Sequence, residues 1–481
     1  MSVHMSERLR DPQPLLRTRI GTGRGAMEQP NATGDGDVPL TVRFWIALAG
    51  TGVLAGLAGM ALMKLLEAVA HLAYGPGEFG AAVAAASPVG RVVPLLAAGV
   101  IGGVGWFLLR RLVPGRSDVD DCVWTGDGRL GVVRSTGTSV LSVTVVGLGA
   151  SLGREAAPKL MGGVAGSLLG GWARLTVPQR RLLVACGAGA GFAAVYDVPL
   201  GGALFTAEVL LGAVRLPVVL PALACSSVAT LVARIGLPPG PVYPGVLDLP
   251  FHPAEVGWAL VAGPLIGLVA VGFVRLIAFM SRHQPRGWWA LPAPLGAFAV
   301  LAALGLAFPQ LYGNGQEIAE QAFTGSAPFL LLAVLCVLKP LVTALCLGSG
   351  AAGGLVTPTL ATGAALGAAL GGVWSQLWPG APAGAYAMIG AAAMLGAAMQ
   401  APLAGAVLVL ELTHGGFALM VPLVLATALA TAVSRWIDGY SIYSARLGPT
   451  LEGPTTDAST TQSRNPFAND AAPSASNTSD K

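Results

Sequence analysis

Arg154 and Glu155 stand where charge is least expected, in the stretch Gly153-Arg154-Glu155-Ala156-Ala157-Pro158-Lys159. Residues 135–153 before them and 160–173 after them carry no ionisable side chain apart from the motif itself. A charge at bilayer depth costs at least about 2.5–3.5 kcal/mol on insertion scales, so such residues face a pathway or a partner. Gly, Ala and Pro surround the pair, and backbone broken at that depth is tolerated only inside protein or beside a water-filled cavity. A carboxylate so placed suits the passage of a small ion. A second charged group, Ser117-Asp118-Val119-Asp120-Asp121, lies in a polar break after the apolar run 92–109.

The elements that must position these residues are membrane helices. Of 481 residues, 54% are hydrophobic and 11% charged, and mean hydropathy is +0.68. Such a composition excludes an ordinary soluble domain and demands an all-α polytopic membrane protein. The apolar runs are continuous rather than alternating, which excludes an outer-membrane barrel. The basic residues are nearly all Arg in short loops, which reads as topology rather than as a nucleic-acid surface. The five cysteines form no CxxC and read as free thiols, and the five histidines form no HExxH. No cofactor or metal is expected.

Residues 1–42 are polar and Arg-bearing without a signal-peptide core, and residues 448–481 are rich in Ser, Thr, Asn, Asp and Pro. Both read as disordered cytoplasmic tails, the second too short and polar for a regulatory domain. Between them, residues 43–447 form the membrane unit. Full spans are expected over 44–63, 92–109 and 288–308. The runs 182–196 and 198–207 are shorter than a span and predict half-helices buried in protein. Residues 340–410 hold no charge or histidine but several Gly and Pro breaks, so they contain several segments. The basic loops at 110–116, 174–181 and 275–286 belong on one side with the N-terminal tail, the cytoplasmic one.

The chain repeats itself. Gly187…Pro199…Glu208 and Gly390…Pro402…Glu411 share both spacings at an offset of 203, and Gly153…Pro158 matches Gly353…Pro358 at 200. Two halves, about 43–236 and 254–447, therefore follow one plan. Paired short segments in duplicated membrane halves point to a site between the halves near the midplane.

With the repeat in place, GREAAP, the stretch SGAAGGLVTP at 349–358, the two PLxG…E helices and Tyr443 together resemble the CLC chloride channels and transporters. The family signatures are written GSGIP, G(K/R)EGP and GxFxP, and the likeness spans roughly 43–447. It is to the prokaryotic type without C-terminal CBS domains. The resemblance implies an inverted-repeat bundle of tilted and half-length helices, a homodimer with one pore per subunit, and chloride, with or without protons, as the transported species. It implies an inner-membrane location. It also implies anion binding by Ser117, Arg154, Gly354, Leu355, Val356 and Tyr443, with Glu155 as both gate and site occupant.

Other roles stay open for several residues. Ser117 is also a natural cap for a helix starting near Asp118. Tyr443 also suits an interfacial aromatic belt. Lys159 is spaced to pair with Glu155 on one helix face, to concentrate anions, or to meet water. Glu208 and Glu411 read as structural. The sequence departs from the family at Asp118 and Asp120, at the later proline of GREAAP, and at Val356. Exchangers carry an inner proton-relay glutamate where this chain has Val209. On that ground the leading expectation is channel-like or weakly proton-coupled chloride permeation. Chloride/proton antiport by an atypical proton route is the alternative. A remote third reading takes Asp118 to Asp121 for the aspartate motif of a membrane-embedded prenyl-diphosphate enzyme.

Overall fold

A computed structural model describes residues 38–246 and 249–446, all within one compact unit. The two tails lie outside the described residues, apart from the short lead 38–41 into the first helix. The first half runs α1 (Val42–Tyr74), α2 (Phe79–Ala85), α3 (Pro88–Leu112), α4 (Val119–Trp124), α5 (Val132–Gly147), α6 (Ala156–Trp172), α7 (Val177–Tyr196), α8 (Pro199–Leu204) and α9 (Leu216–Ala233). The second runs α10 (Pro253–Arg282), α11 (Ala293–Ala307), α12 (Gln316–Thr324), α13 (Phe329–Gly348), α14 (Val356–Leu377), α15 (Ala383–Met399), α16 (Pro402–Thr413) and α17 (Met420–Ile437). A π-helical turn, Phe205–Leu210, continues α8. Among the described residues, eight helical stretches are long and apolar enough to span a membrane. The uncharged run 340–410 divides into the end of α13, then α14, α15 and the start of α16, as its breaks require.

One expectation is corrected. Residues 182–196 are not a half-helix but part of the 20-residue α7, which starts inside the basic turn at Val177. Thr176 and Gln179 form a capping box there, which extends the helix past its apolar stretch. Nearly all of α7 is buried, as is its repeat partner α15. These two helices are surrounded by protein, so length and hydropathy are poor guides to their boundaries.

Close helix crossings explain the glycine content. Gly162 and Gly166 of α6 face the backbone of α7, where an added Cβ would stand 2.0 Å from the Gly187 carbonyl and 2.5 Å from that of Leu183. In the second half, Gly363 and Gly367 of α14 press on α15 at Gly390 and Tyr386 in the same way. Membrane helices gain little from hydrophobicity against each other and rely on such close packing.

The repeat is also visible in the turns. Asp197 and Gln400 both end their helices in the left-handed region, at φ 57°. Each is followed by a short connection into a proline-headed helix, α8 or α16. Their N-termini are then capped across the repeat. The Glu208 carboxylate accepts the N–H groups of Leu403 and Ala404 at the start of α16. The Glu411 carboxylate accepts those of Leu200 and Gly201 at the start of α8. Both glutamates are therefore structural in this geometry, as their positions in the repeat suggested.

The basic loops gather on one face. Arg110 donates to the Gly350 carbonyl, Arg134 to that of Val113, Arg181 to those of Val123 and Trp124, and Gln284 to that of Leu347. Gln179 reaches the Pro39 carbonyl, so the start of α1 joins the same face.

A carboxylate at a helix N-terminus is favourable, and removing it leaves two N–H groups without their acceptors. Glu208→Ala and Glu411→Ala should each cost about 1–3 kcal/mol. The check is the apparent melting temperature of the purified protein in detergent. Unchanged melting of both variants would mean that the reciprocal caps do not hold the halves together.

Candidate functional site

Glu155 sits at the junction of the two halves. Gly153 and Gly354 exchange both backbone hydrogen bonds, N to O at 2.8 Å each way, in an isolated antiparallel bridge. This bridge brings the entrance of α6 against the entrance of α14. A Cβ on Gly354 would overlap Glu155 Oε1 at 2.1 Å, and one on Gly153 would overlap it at 2.2 Å. Only glycine leaves room for the carboxylate at both positions.

The Glu155 side chain is buried, at 2% exposure for the residue. Its Oε1 accepts the Val356 N–H at 2.7 Å. Its Oε2 accepts the Tyr196 hydroxyl at 3.1 Å and the Thr357 hydroxyl at 3.3 Å. The Tyr196 and Thr357 hydroxyl oxygens also lie 2.7 Å apart, so their two protons serve three contacts and one is shared between the carboxylate and the neighbouring hydroxyl. The carboxylate thus occupies a ready-made anion site, the free N–H at the head of α14, supplemented by two hydroxyls. A free anion of similar size would meet the same donors.

The loop that presents Glu155 is pinned by a buried lysine. Lys339 of α13 is fully buried and donates to Ser151 Oγ at 2.7 Å, to the Gly313 carbonyl at 2.8 Å and to that of Leu311 at 3.3 Å. All three ammonium protons have acceptors, and Gly313 in turn donates to the Gly149 carbonyl. A buried cation satisfied this way fixes the loop between α5 and α6.

Two cavities flank the site. The first, of about 520 Å³, is lined by Lys64, His71, Tyr74, Arg154, Tyr196 and Arg234 among others. There the Arg154 guanidinium lies 5.0 Å from the Tyr196 ring centroid, and its buried Nε has no hydrogen-bond partner among the described residues. Lys64 and Arg234 are paired with Glu67 and Asp197, whereas Arg154 forms no ion pair among the described residues. The second cavity, of about 110 Å³, is lined by Ser117, Asp118, Asp120, Lys159, Gly353 and Arg446 among others. It also touches Ala156 and Ala157, directly after Glu155.

The expected residues are brought together unevenly. Val356 donates to Glu155, and Leu355 is the N-cap of α14. Gly354 gives its N–H to Gly153, so its contribution at the site is space rather than a donor. Ser117 lines the second cavity and caps no helix among the described residues. Asp118 is the cap of α4, accepting from the N–H groups of Asp120 and Asp121. Tyr443 is buried at 6% exposure, with its ring against Lys159 and Phe205. That placement removes it from an interfacial belt. Lys159 pairs with Asp120 at 2.9 Å rather than with Glu155. The spacing allowed Glu155 as one of three roles, but that carboxylate turns toward α14, which leaves the ammonium to α4. Asp121 contacts Arg116 and Thr125, so each aspartate of the motif has a local partner. Val209 is fully buried in the π turn.

Sequence reasoning missed Tyr196, Thr357 and Lys339. Thr357 lay inside a quoted motif, and Lys339 is the last charge before the uncharged run. Tyr196 had one signal, its place directly before the left-handed turn of the repeat.

Fold and site define a multi-pass, inverted-repeat membrane protein with a buried carboxylate between two cavities. Residues 101–435 match the family described as voltage gated chloride channel. The chain is 31% identical over 422 residues to the "Putative chloride channel protein ClcB-like" of Ralstonia nicotianae, covering 84% of this chain and 96% of that protein. It is 30% identical over 437 residues to the "H(+)/Cl(-) exchange transporter ClcA" of Salmonella schwarzengrund, covering 86% and 89%. Among solved structures, a slow cyanobacterial Cl−/H+ antiporter superposes with a TM-score of 0.72 at 22% identity, covering 84% of this chain and 97% of that one. A CLC-type fluoride/proton antiporter gives 0.69 at 23%, with the same coverage. The chain belongs to the CLC family of anion transport proteins.

Tyr196→Phe removes one hydroxyl donor from Glu155 and leaves the ring under Arg154. A hydrogen bond to a charged group contributes about 1.5–3 kcal/mol, and an anion in the place of the carboxylate would lose the same donor, so in a Glu155→Ala background Tyr196→Phe should weaken chloride binding at least about tenfold. Calorimetric titration with chloride reads this directly. Unchanged affinity would mean that the hydroxyl is not a donor to the occupant of this site.

Proposed function

We propose that this protein exchanges chloride, or a similar monovalent anion, for protons across the cell membrane, with Glu155 as the gate. One observation carries the reading: the Glu155 carboxylate lies on the Val356 N–H at the head of α14, where a transported anion would be held. A partial positive charge and hydroxyl donors bind an anion weakly enough for it to leave again. When the carboxylate takes a proton or yields to an anion, the path between the two cavities opens. Arg154 draws anions into the first cavity, Leu355 and Val356 hold them at the centre, and Ser117 and Tyr443 border the way out through the second. The face carrying the basic loops, and with it the second cavity, is cytoplasmic by its arginine content. Both termini then belong on that side. The working unit is a homodimer in the bilayer with one pathway per subunit.

Val209 made channel-like or weakly proton-coupled permeation the leading expectation from sequence. Relatives named as exchangers support the coupled alternative instead, and a proton route that does not use position 209 is part of the proposal. Channel-like permeation keeps two supports, the apolar, fully buried side chain of Val209 and the relative named "Putative chloride channel protein ClcB-like".

Chloride and proton fluxes from liposomes, measured together, separate the readings. For the natural protein a chloride gradient should drive protons uphill. Glu155→Ala should abolish that pumping and leave chloride flux. Electrogenic chloride release without proton movement from the natural protein would establish the channel reading, and an absence of chloride flux from folded protein would reject both.

A further inference from the structure

The Asp120–Lys159 pair has no role in the mechanism so far, yet it lines the second cavity. Lys159 Nζ donates to both oxygens of Asp120, at 3.1 and 2.9 Å, and the side chains are 12% and 8% exposed. The ammonium lies 4.4 Å from the Tyr443 ring centroid and 5.7 Å from that of Phe205. Its own N–H donates to the Glu155 carbonyl, so the two residues are one turn apart on α6, about 6 Å along the axis. Beside the pair, Arg446 lines the same cavity with a buried Nε that has no partner among the described residues.

A full cation on an anion pathway would hold its cargo too firmly, since conduction needs binding weak enough to allow exit. Asp120 cancels that charge. A buried ion pair is poor evidence for stability, because well-packed apolar residues often serve as well or better. The position of this pair, inside a cavity that reaches the gate, asks for another account. A proton and a monovalent anion arriving together change nothing in the net charge there. The proton converts Asp120 to the neutral acid, and the anion takes its place beside Lys159, which keeps its own proton.

We propose that Asp120 and Lys159 form a proton-linked anion site at the second cavity, in which protonation of Asp120 releases the Lys159 ammonium to a halide-sized monovalent anion. The site rests on the transport reading for the identity of its ligand. The other charged and titratable groups facing it are Asp118 before α4, Tyr443 and Arg446 from the last described segment, and Glu155 one turn back. From the π turn Phe205 approaches, while Glu208 is turned to cap α16, and from α7 Arg181 is committed to backbone carbonyls. Linkage is reciprocal, so the bound anion also favours the proton. Protons thereby gain an acceptor near the gate that does not require a carboxylate at position 209.

The test is calorimetric titration with chloride at neutral and mildly acidic pH, in a Glu155→Gln background that removes the gate's own titration. Acidification should tighten chloride binding at least about tenfold, within the usual range of coupling between sites. Adding Asp120→Asn should give tight binding at both pH values, and adding Lys159→Met should remove the acid tightening. Because Asp120→Asn strands a buried ammonium, the charge-free Asp120→Asn/Lys159→Gln pair serves as the folding-tolerant variant and should bind weakly without pH dependence. Acid tightening that survives Lys159→Met or the charge-free pair overturns the inference, as does its absence from the Glu155→Gln background. If the natural protein binds no chloride at either pH, the transport reading falls and takes this site with it.

Discussion

The structure depends on one contact, the Glu155 carboxylate on the Val356 N–H. An anion in a low-dielectric interior needs a positive partner, but a full charge there would not release it. A helix N-terminus offers the intermediate case, a partial charge and unpaired donors. The entrances of α6 and α14 must therefore meet, and the Gly153–Gly354 bridge is how they do. No side chain at either glycine would leave space for the carboxylate between them. Lys339 then fixes the loop that carries Glu155 by binding three acceptors around it. The site thus uses a lysine as an internal brace, with its amine hydrogen-bonded to the protein on all sides.

Duplication supplies the geometry. Each half contributes a glycine-striped helix, α6 or α14, packed on a largely buried one, α7 or α15. Each then turns through a left-handed residue into a proline-headed helix capped by the other half's glutamate. Because Glu208 serves α16 and Glu411 serves α8, neither half completes its own hydrogen bonding. The interface between repeats is thereby specified by polar atoms that only the partner repeat satisfies, which is how a buried polar network selects one arrangement of the backbone.

What was legible in the sequence was what proximity along the chain encodes. The charged pair inside apolar sequence, the repeat spacing of Pro199 and Pro402, and the structural nature of Glu208 and Glu411 could all be read directly. The extent of α7 could not, because its capping box adds a polar first turn that hydropathy excludes from the span. Tyr196 and Thr357 were missed because their meeting joins residues 161 positions apart. Lys159 was the instructive case. The helical spacing i to i+4 holds when neither side chain has a tertiary partner. Here Glu155 had α14 and Lys159 had α4, so the local rule gave way to two long-range contacts.

The two cavities also differ in charge for a physical reason. At the first cavity Arg154 stacks on Tyr196 and forms no ion pair among the described residues, so a cation faces the large, open space. Its effect on an anion is screened by water and falls with salt. At the small second cavity the same exposed cation would act almost unscreened, since charges interact more strongly as water is excluded. Lys159 is tolerable there only with Asp120 beside it. The departure from the family pattern at position 120 and the lysine of GREAAPK are then one feature rather than two. Either charge alone would be costly in that space, and with Asp118 and Arg446 also in the lining the cavity holds acids and bases in equal number.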